Sequence, residues 1–321
     1  MIENLRLGCL HFGNLIKADE VKDMVNYALK LGVNKFDISP LYGSGRAISV
    51  LGEALKGHDE EICISMSIGL KARSSVYGFG VETEKFRASY AKQKLEELRD
   101  IAKRDFNFIV NVHALHLEQS SRELFGELEE LTYTYPRLKL SVSNISPADF
   151  EVLRIEASDF GVCLETLQLQ ANPLEQRLIR EAKGYVGLKL NVNRPFGRGL
   201  LIQNYSASGF RPEGSRASIS ERLNDYLKGP VSEALFSVRN FLVQREIDPV
   251  LFCLCWLLFQ PGVVGVTFGV RTIEQIRFLS KVDLKTLSKL KEIVKEFDTW
   301  LLTRPDLGRV VYALPKFTFE R

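Results

Sequence analysis

The sequence predicts an α/β fold, a (β/α)8 or TIM barrel, and three observations support this class. Eight apolar runs of strand length alternate with eight longer segments of helical period. Runs such as Phe108–Val112 are almost continuously apolar, as is typical of parallel strands covered on both faces. No G-x-G-x-x-G motif follows an early strand, which disfavours the main alternative, an open doubly wound sheet. Because barrels of this kind routinely form one domain, residues 1–321 are predicted to form a single barrel.

The predicted strands are short segments rich in branched apolar residues. They are Leu5–Cys9, Asn34–Ile38, Glu61–Met66, Phe106–His113, Leu138–Val142, Leu164–Gln170, Val186–Val192 and Val263–Phe268.

The predicted helices combine an apolar stripe with start and stop signals. Apolar residues recur at helical spacing after Ala18, and Gly32 stands where a left-handed residue ends a helix. Ser146 precedes Pro147, a favourable pair for a cap and a first turn. The segments are Ala18–Leu31, Ala47–Lys56, Glu84–Lys103, Gln119–Thr134, Pro147–Ile155, Leu174–Ala182, Ile219–Arg245 and Thr272–Phe297.

Composition excludes several classes of protein. A formal net charge of +3 is too small to indicate nucleic-acid binding or a charged membrane surface. No apolar run reaches about 18 residues, so we expect no membrane span, and no secretory signal is visible. Five cysteines, an odd number without a C-x-x-C pair, favour a reduced cytoplasmic protein. The cysteines and the four histidines lack metal-ligand spacing, so no metal site is predicted.

Polar residues that could carry chemistry fall at the predicted carboxyl ends of the strands, where barrels place their active sites. A carboxylate, a phenol, an imidazole, several amides and three arginines would meet there. The candidates are Asp37, Tyr42, His113, Ser143, Asn144, Gln168, Arg194, Phe196, Arg198, Gly199, Leu200, Gly269, Arg271 and Gln275.

Six short motifs at these strand ends and in the second helix resemble the aldo-keto reductase family. They occur in the family's order along nearly the whole chain, and the stretch Pro40–Arg46, PLYGSGR, is closest in form to the family's sugar dehydrogenases. The matches are FDISPLYG at 36–43, LGEAL at 51–55, SVSN at 141–144, QLQANPL at 168–174, PFGRGLL at 195–201 and GVRTIEQ at 269–275.

The resemblance implies a role for each candidate. Tyr42 would be the general acid or base for the carbonyl oxygen, His113 would orient that oxygen, and Asp37 would belong to the charge network around Tyr42. Other residues would hold a nicotinamide dinucleotide. Its carboxamide would be bound by Ser143, Asn144 and Gln168, and its pyrophosphate by Arg194–Leu200 with Arg198. Its adenosine end would face Arg271 and Gln275, and Gly269 would also contact the cofactor. An arginine at Arg271 favours NADP(H), with NAD(H) as the alternative.

The chain departs from the family pattern in three places. Ser67 stands where the family has a strand-3 lysine, so the ammonium that would depress the pKa of the tyrosine is missing. Lys71 is considered as a replacement that reaches back from the loop. Asn193 replaces a ring-stacking aromatic residue, and Phe108 replaces an aspartate.

These observations leave three functional hypotheses. The first is an NADP(H)-linked oxidoreductase that interconverts a carbonyl and an alcohol on a sugar or similar small polar metabolite. The second is a catalytically impaired barrel that binds nicotinamide cofactor and acts as a sensor or partner protein. The third, altered chemistry such as isomerisation, needs an acid or base that the sequence does not supply. The loops expected to select the substrate are Ala72–Glu82, Ala114–Ser120 and Asn204–Ser218.

Overall fold

The computed structural model describes residues 2–75, 78–203 and 226–314. The strands are β1 Leu5–Gly8, β2 Lys35–Ile38, β3 Cys63–Ile68, β4 Leu70–Ser75, β5 Gly78–Thr83, β6 Asn107–Val112, β7 Lys139–Ser143, β8 Leu164–Gln170, β9 Leu190–Asn193 and β10 Val263–Gly269. Eight of them form a closed barrel in the order β1-β10-β9-β8-β7-β6-β3-β2, and β4 and β5 form a separate antiparallel hairpin. Neighbouring strands pair in parallel from β1 through β2, β3, β6 and β7 to β8, and likewise β9 with β10, which confirms the predicted fold class.

Side-chain caps begin several of the helices. Ser120, Ser146, Asp248 and Asp283 each accept a hydrogen bond from a backbone N–H of the first turn. The described helices are Ala18–Lys30, Ala47–Ala54, Ala88–Ala102, Ser121–Thr134, Pro147–Ser158, Arg177–Ala182, Gly229–Val243, Pro249–Leu258, Leu284–Leu302 and Pro305–Ala313.

Two predicted elements begin later in the structure than the sequence predicts. The predicted strand Val186–Val192 begins only at Leu190, because Gly187 has φ +81° and Val186 is fully exposed in the preceding turn. The predicted helix Thr272–Phe297 is two 3₁₀ turns followed by a helix that begins after Asp283.

One further difference concerns a loop, and two predicted segments lie partly or wholly outside the described residues. The predicted loop Ala72–Glu82 is largely the β4-β5 hairpin. The helix predicted at Ile219–Arg245 is described as Gly229–Val243, and its residues 219–225 lie outside the described residues. The loop Asn204–Ser218 also lies outside them.

The chain divides into two compact units. The first comprises residues 1–168 and 269–279, and the second comprises residues 169–268 and 280–321. The single barrel domain over residues 1–321 stays a prediction. Within the described ranges, no helix is long and apolar enough to cross a membrane.

Candidate active site

The first unit contains a buried hydrogen-bond network inside the barrel. Gln168 Nε2 donates to Asp37 Oδ2 over 3.1 Å, and Asn111 Nδ2 lies 3.1 Å from Gln168 Oε1. Because β2, β6 and β8 are not neighbours in the sheet, these side chains must meet in the barrel interior. Two of the predicted site residues, Asp37 and Gln168, are therefore brought together.

Asn111 is the centre of this network, although no sequence motif selects it. Its amide nitrogen also lies 3.0 Å from Ser67 Oγ and 3.1 Å from Ser143 Oγ. The side chain is fully buried, and its Oδ1 has no hydrogen-bond partner among the described residues. A buried acceptor without a donor is unfavourable, so the site can accept one more hydrogen bond here.

Asp37 is a buried carboxylate with an unusual protonation equilibrium. Burial raises its pKa from 3.8 to about 6, while the charge of Arg6 and hydrogen bonds from Gln168 and Ser65 oppose that rise. Desolvation disfavours the charged form of a carboxyl group, and here it dominates. Asp37 therefore changes charge close to neutral pH.

The loop after β2 holds Tyr42 in a fixed backbone conformation. The Tyr42 N–H donates to Ser39 O over 3.0 Å, and the Gly43 N–H donates to Leu10 O over 3.0 Å. Gly43 has φ +60°, and a Cβ there would lie only 1.7 Å from Phe12 O. Glycine is thus required where this loop crosses the loop after β1. The Tyr42 side chain is half-buried.

His113 follows β6, and its carbonyl oxygen joins two more predicted site residues. Ser143 Oγ donates to His113 O over 2.7 Å, and Asn144 Nδ2 donates to the same oxygen over 2.6 Å. Asn144 has φ +61°, a left-handed conformation that asparagine tolerates better than most residues. Because Nδ2 makes this contact, Oδ1 is the acceptor atom that the Asn144 side chain can offer to a ligand amide.

Ser67 occupies the position at which the family has a strand-3 lysine, so no charge is present there. Ser67 is buried on β3 opposite Asn111, to which it is hydrogen-bonded. Lys71 does not replace the lysine as considered, because its Nζ pairs with Glu82 at 3.2 Å on the hairpin and its side chain is 52% exposed. His116, three residues after His113, accepts the backbone N–H of Glu118 through Nδ1, which gives it a loop-stabilising contact.

The second unit contains a separate buried ionic cluster. Glu175 is fully buried and accepts hydrogen bonds from Arg198 at 3.1 Å, Tyr226 at 2.7 Å and Asn172 at 2.6 Å. Burial raises the pKa of Glu175, but Arg198 and these donors outweigh it and leave the pKa below its ordinary value. Gln170 Oε1 accepts from Arg194 and, at 3.4 Å, from Arg198. Two predicted cofactor residues therefore share one acceptor.

The turn that contains Arg198 is built from left-handed residues. Gly197, Arg198 and Gly199 have φ of +55°, +59° and +95°. The Gly199 N–H donates to Phe196 O over 2.9 Å, and the Leu200 N–H donates to Gly197 O over 3.1 Å. Phe196 and Leu200 have buried side chains. These backbone donors are used within the turn.

The end of β10 carries the other predicted cofactor residues, which belong to the first unit. The Arg271 N–H donates to Gln275 Oε1 over 2.7 Å, so these two residues are brought together. A Cβ added to Gly269 would meet no atom within 4 Å, and its φ is not in the left-handed region. The chain itself therefore does not require glycine at this position.

Three polar residues of the barrel and its rim were missed by sequence reasoning: Arg6, Asn111 and Glu175. Each is at most 6% exposed. The available signal was a single polar residue inside an otherwise apolar strand, as in Leu5-Arg6-Leu7 and Val110-Asn111-Val112. No group of three or more histidine, cysteine, aspartate or glutamate side chains suited to a metal ion occurs in the described part of the chain.

Comparisons with known proteins identify the class. The model of the aldo/keto reductase family matches residues 4–291, so the chain belongs to this family. An uncharacterized oxidoreductase of Bacillus subtilis, YqkF, is 23% identical over 280 residues, covering 86% of this chain and 85% of that protein.

Two solved structures share the fold. A glycerol dehydrogenase from Gluconobacter oxydans has a TM-score of 0.68 at 18% identity and 92% coverage of both chains. An aldo-keto reductase from Bacillus halodurans, in a holo form, has a TM-score of 0.65 at 19% identity, covering 90% of this chain and 91% of that one. The family match and the named relative support an oxidoreductase.

Proposed function

We propose that this protein is an NADP(H)-dependent oxidoreductase that interconverts a carbonyl and an alcohol on a sugar or a similar small polar metabolite. The observation that supports this proposal is the buried hydrogen-bond network of the barrel, in a chain that belongs to the aldo/keto reductase family. It joins Asp37, Gln168 and Ser143 and reaches the carbonyl of His113. Such a network holds polar groups rigidly where a cofactor and substrate would react.

The nicotinamide carboxamide is assigned to Ser143, Asn144 and Gln168. Asn144 Oδ1 provides an acceptor, and Ser143 Oγ and Gln168 are held in place by Asn111. The partnerless Oδ1 of Asn111 fits a site that is completed by a further donor. We therefore regard these residues as compatible with a nicotinamide cofactor.

The remaining cofactor residues are proposed from the family motifs. Arg271, Gln275 and Gly269 are assigned to the adenosine end, and the open space at Gly269 suits close approach of a ligand. The segment Arg194–Leu200, with Phe196, Gly199 and Leu200, is assigned to the pyrophosphate. Glu175 already balances the charge of Arg198, so the main contribution of Arg198 to the pyrophosphate site would be to hold the turn.

The chemistry is divided between cofactor and protein. The nicotinamide supplies or accepts hydride when bound. The Tyr42 hydroxyl would donate a proton to the carbonyl oxygen in reduction, and its phenolate would accept a proton from the alcohol in oxidation, while the His113 imidazole would donate a hydrogen bond to the same oxygen. Because Ser67 is neutral, β3 places no ammonium at this position to stabilise the phenolate. We therefore propose a slow enzyme.

We also propose that the protein acts on small molecules in the cytoplasm and does not bind nucleic acid. The small net charge of +3 and the cysteines, three of which are buried, support this.

Turnover of an aldose and aldehyde panel with NADPH tests the proposal. Tyr42→Phe should reduce kcat by about 10²- to 10⁴-fold while leaving NADPH affinity unchanged, because only the proton donor is lost. Tyr27→Phe, on the helix Ala18–Lys30, is the matched control and should be unaffected. Tight NADPH binding without any turnover would contradict the proposal.

The specificity for NADP(H) has its own test. Arg271→Ala should weaken NADPH binding by about tenfold and NADH binding much less, because a charge-assisted hydrogen bond to the 2′-phosphate is lost. Equal losses for both cofactors would contradict the assignment of Arg271.

A second function is favoured by one observation, the neutral Ser67 in place of the lysine. In this alternative the barrel binds nicotinamide cofactor and serves as a sensor or partner protein. Binding of NADPH with equal, negligible turnover in wild type and Tyr42→Phe would support it.

A further inference from the structure

Arg6 is a buried cation that the proposed mechanism does not use. It lies on β1, next to β2, where Gly8 is in register with Asp37. Its side chain is only 6% exposed, and its Nε and Nη1 have no hydrogen-bond partner among the described residues. Burying an unbalanced guanidinium is strongly unfavourable, so a compensating charge must lie nearby.

Asp37 is the compensating charge in this unit. Among the described residues of the first unit, Arg6 and Asp37 are the two buried charged side chains, and they have opposite signs. Each acts on the other electrostatically, and the remaining ionisable group that faces Arg6 is the Cys63 thiol of β3. The other groups on Asp37, Ser65 of β3 and Gln168 of β8, are neutral. The Cys9 thiol after β1 also lies in the field of Asp37, and burial, together with that charge, raises its pKa well above the ordinary value, so it is neutral too.

The charge of Asp37 determines the orientation of the network. A negative carboxylate requires a donor, so Gln168 presents Nε2 to Asp37 and turns Oε1 toward Asn111. Asn111 in turn presents Nδ2 to Gln168, Ser143 and Ser67. A protonated Asp37 would no longer require Gln168 in this orientation.

We propose that Arg6 is the positioning cation of this site: it balances the carboxylate of Asp37 from β1 and thereby fixes the orientation of Gln168. It supplies the positive charge that Ser67 on β3 does not. The functional importance of this arrangement rests on the function proposed above, whereas the electrostatic coupling itself can be measured without cofactor or substrate.

The test is the titration of Asp37 in aspartate-labelled enzyme, followed by carbon NMR in the absence of ligands and assigned with Asp37→Asn. Arg6→Met should raise the Asp37 midpoint by at least about one pH unit, because the stabilising cation is lost. Arg6→Lys should keep it near the wild-type value, and adding Ser67→Lys to Arg6→Met should lower it again. Arg122→Met, at an exposed arginine, is the control and should have no effect.

The outcomes distinguish positioning from a merely structural role. An unchanged midpoint in Arg6→Met would overturn the proposal, even if the variant were less stable. If Arg6→Met does not fold, Arg6→Met/Asp37→Asn decides: recovery of folding supports coupling of the two charges, and continued failure to fold contradicts it. A chain that binds no NADPH yet shows the expected midpoints would refute the proposed function and leave the coupling intact.

Discussion

Replacing Asp37 with asparagine removes a buried charge while conserving the shape of the side chain. The pKa of Asp37 is about 6 in the folded protein and 3.8 is its ordinary value. Folded Asp37 therefore binds its proton more tightly than unfolded Asp37. A group of this kind favours the folded state below about pH 3.8, and that contribution is lost as the pH rises through about 6.

The size of the effect follows from the two pKa values. A tenfold change in a protonation equilibrium corresponds to about 1.4 kcal/mol, so the difference between 3.8 and about 6 corresponds to roughly 3 kcal/mol. The free energy of unfolding of the wild type, relative to that of Asp37→Asn, should thus fall by roughly 2.5 kcal/mol between pH 4 and pH 7, since at pH 4 the unfolded carboxyl is already partly ionised.

Urea unfolding at several pH values, followed by tryptophan fluorescence, measures this difference. Trp256 and Trp300 report on the second unit, and circular dichroism reports on the helices of both. Asp59→Asn, in an exposed loop, is the control and should show no pH-dependent difference from wild type. A constant difference between wild type and Asp37→Asn across the pH range would refute the assignment of a raised pKa to Asp37.

Three further predictions concern the turn at Tyr42, the ionic cluster and the missing lysine. Gly43→Ala should lower the free energy of unfolding by at least about 2 kcal/mol, because the new Cβ meets Phe12 O. Gly57→Ala, at a glycine that is also left-handed but lies in open space, should lower it by only about 1 kcal/mol. Equal losses of the two variants in thermal unfolding would refute the close approach at Gly43. Glu175→Gln should lower the free energy of unfolding by about 3 kcal/mol, because it leaves the charge of Arg198 unbalanced. Glu53→Gln, in the exposed pair with Lys56, should lower it by at most about 0.5 kcal/mol. A different ranking of the two variants in urea unfolding would count against a buried ion pair. Ser67→Lys should raise kcat with NADPH by about tenfold or more, because the new ammonium lowers the pKa of Tyr42, whereas Ser67→Met should not raise it. If Ser67→Lys gave no gain in kcat, the missing lysine would not be what makes the enzyme slow.

The fold was predictable because it depends on patterns that extend over the whole chain. Alternating apolar runs and helical segments indicate a barrel regardless of where each element ends. Boundaries were less predictable, because tertiary context decides them. Val186 is apolar and fits a strand pattern, yet the chain turns at Gly187 and β9 begins at Leu190. The helix Pro249–Leu258 carries apolar residues on all sides, so it has no amphipathic period to recognise.

The candidate site was only partly accessible from sequence. Motifs selected Asp37 and Gln168, which the structure joins by a hydrogen bond. They could not select Arg6 or Asn111, because which polar residues meet inside a barrel depends on register between distant strands. They also could not reveal that Arg198 is committed to Glu175, since that pairing is a contact between residues 23 positions apart.

Isothermal titration calorimetry with NADPH measures whether the barrel holds a nicotinamide cofactor. We expect the wild type to bind NADPH and Asn144→Ala to bind it about tenfold more weakly, because one hydrogen bond to the nicotinamide carboxamide is lost. Asn107→Ala, at an exposed asparagine on β6, should bind like the wild type. Absence of binding by the wild type, or equal binding by Asn144→Ala, would contradict the claim that the polar strand ends of this barrel hold a nicotinamide cofactor.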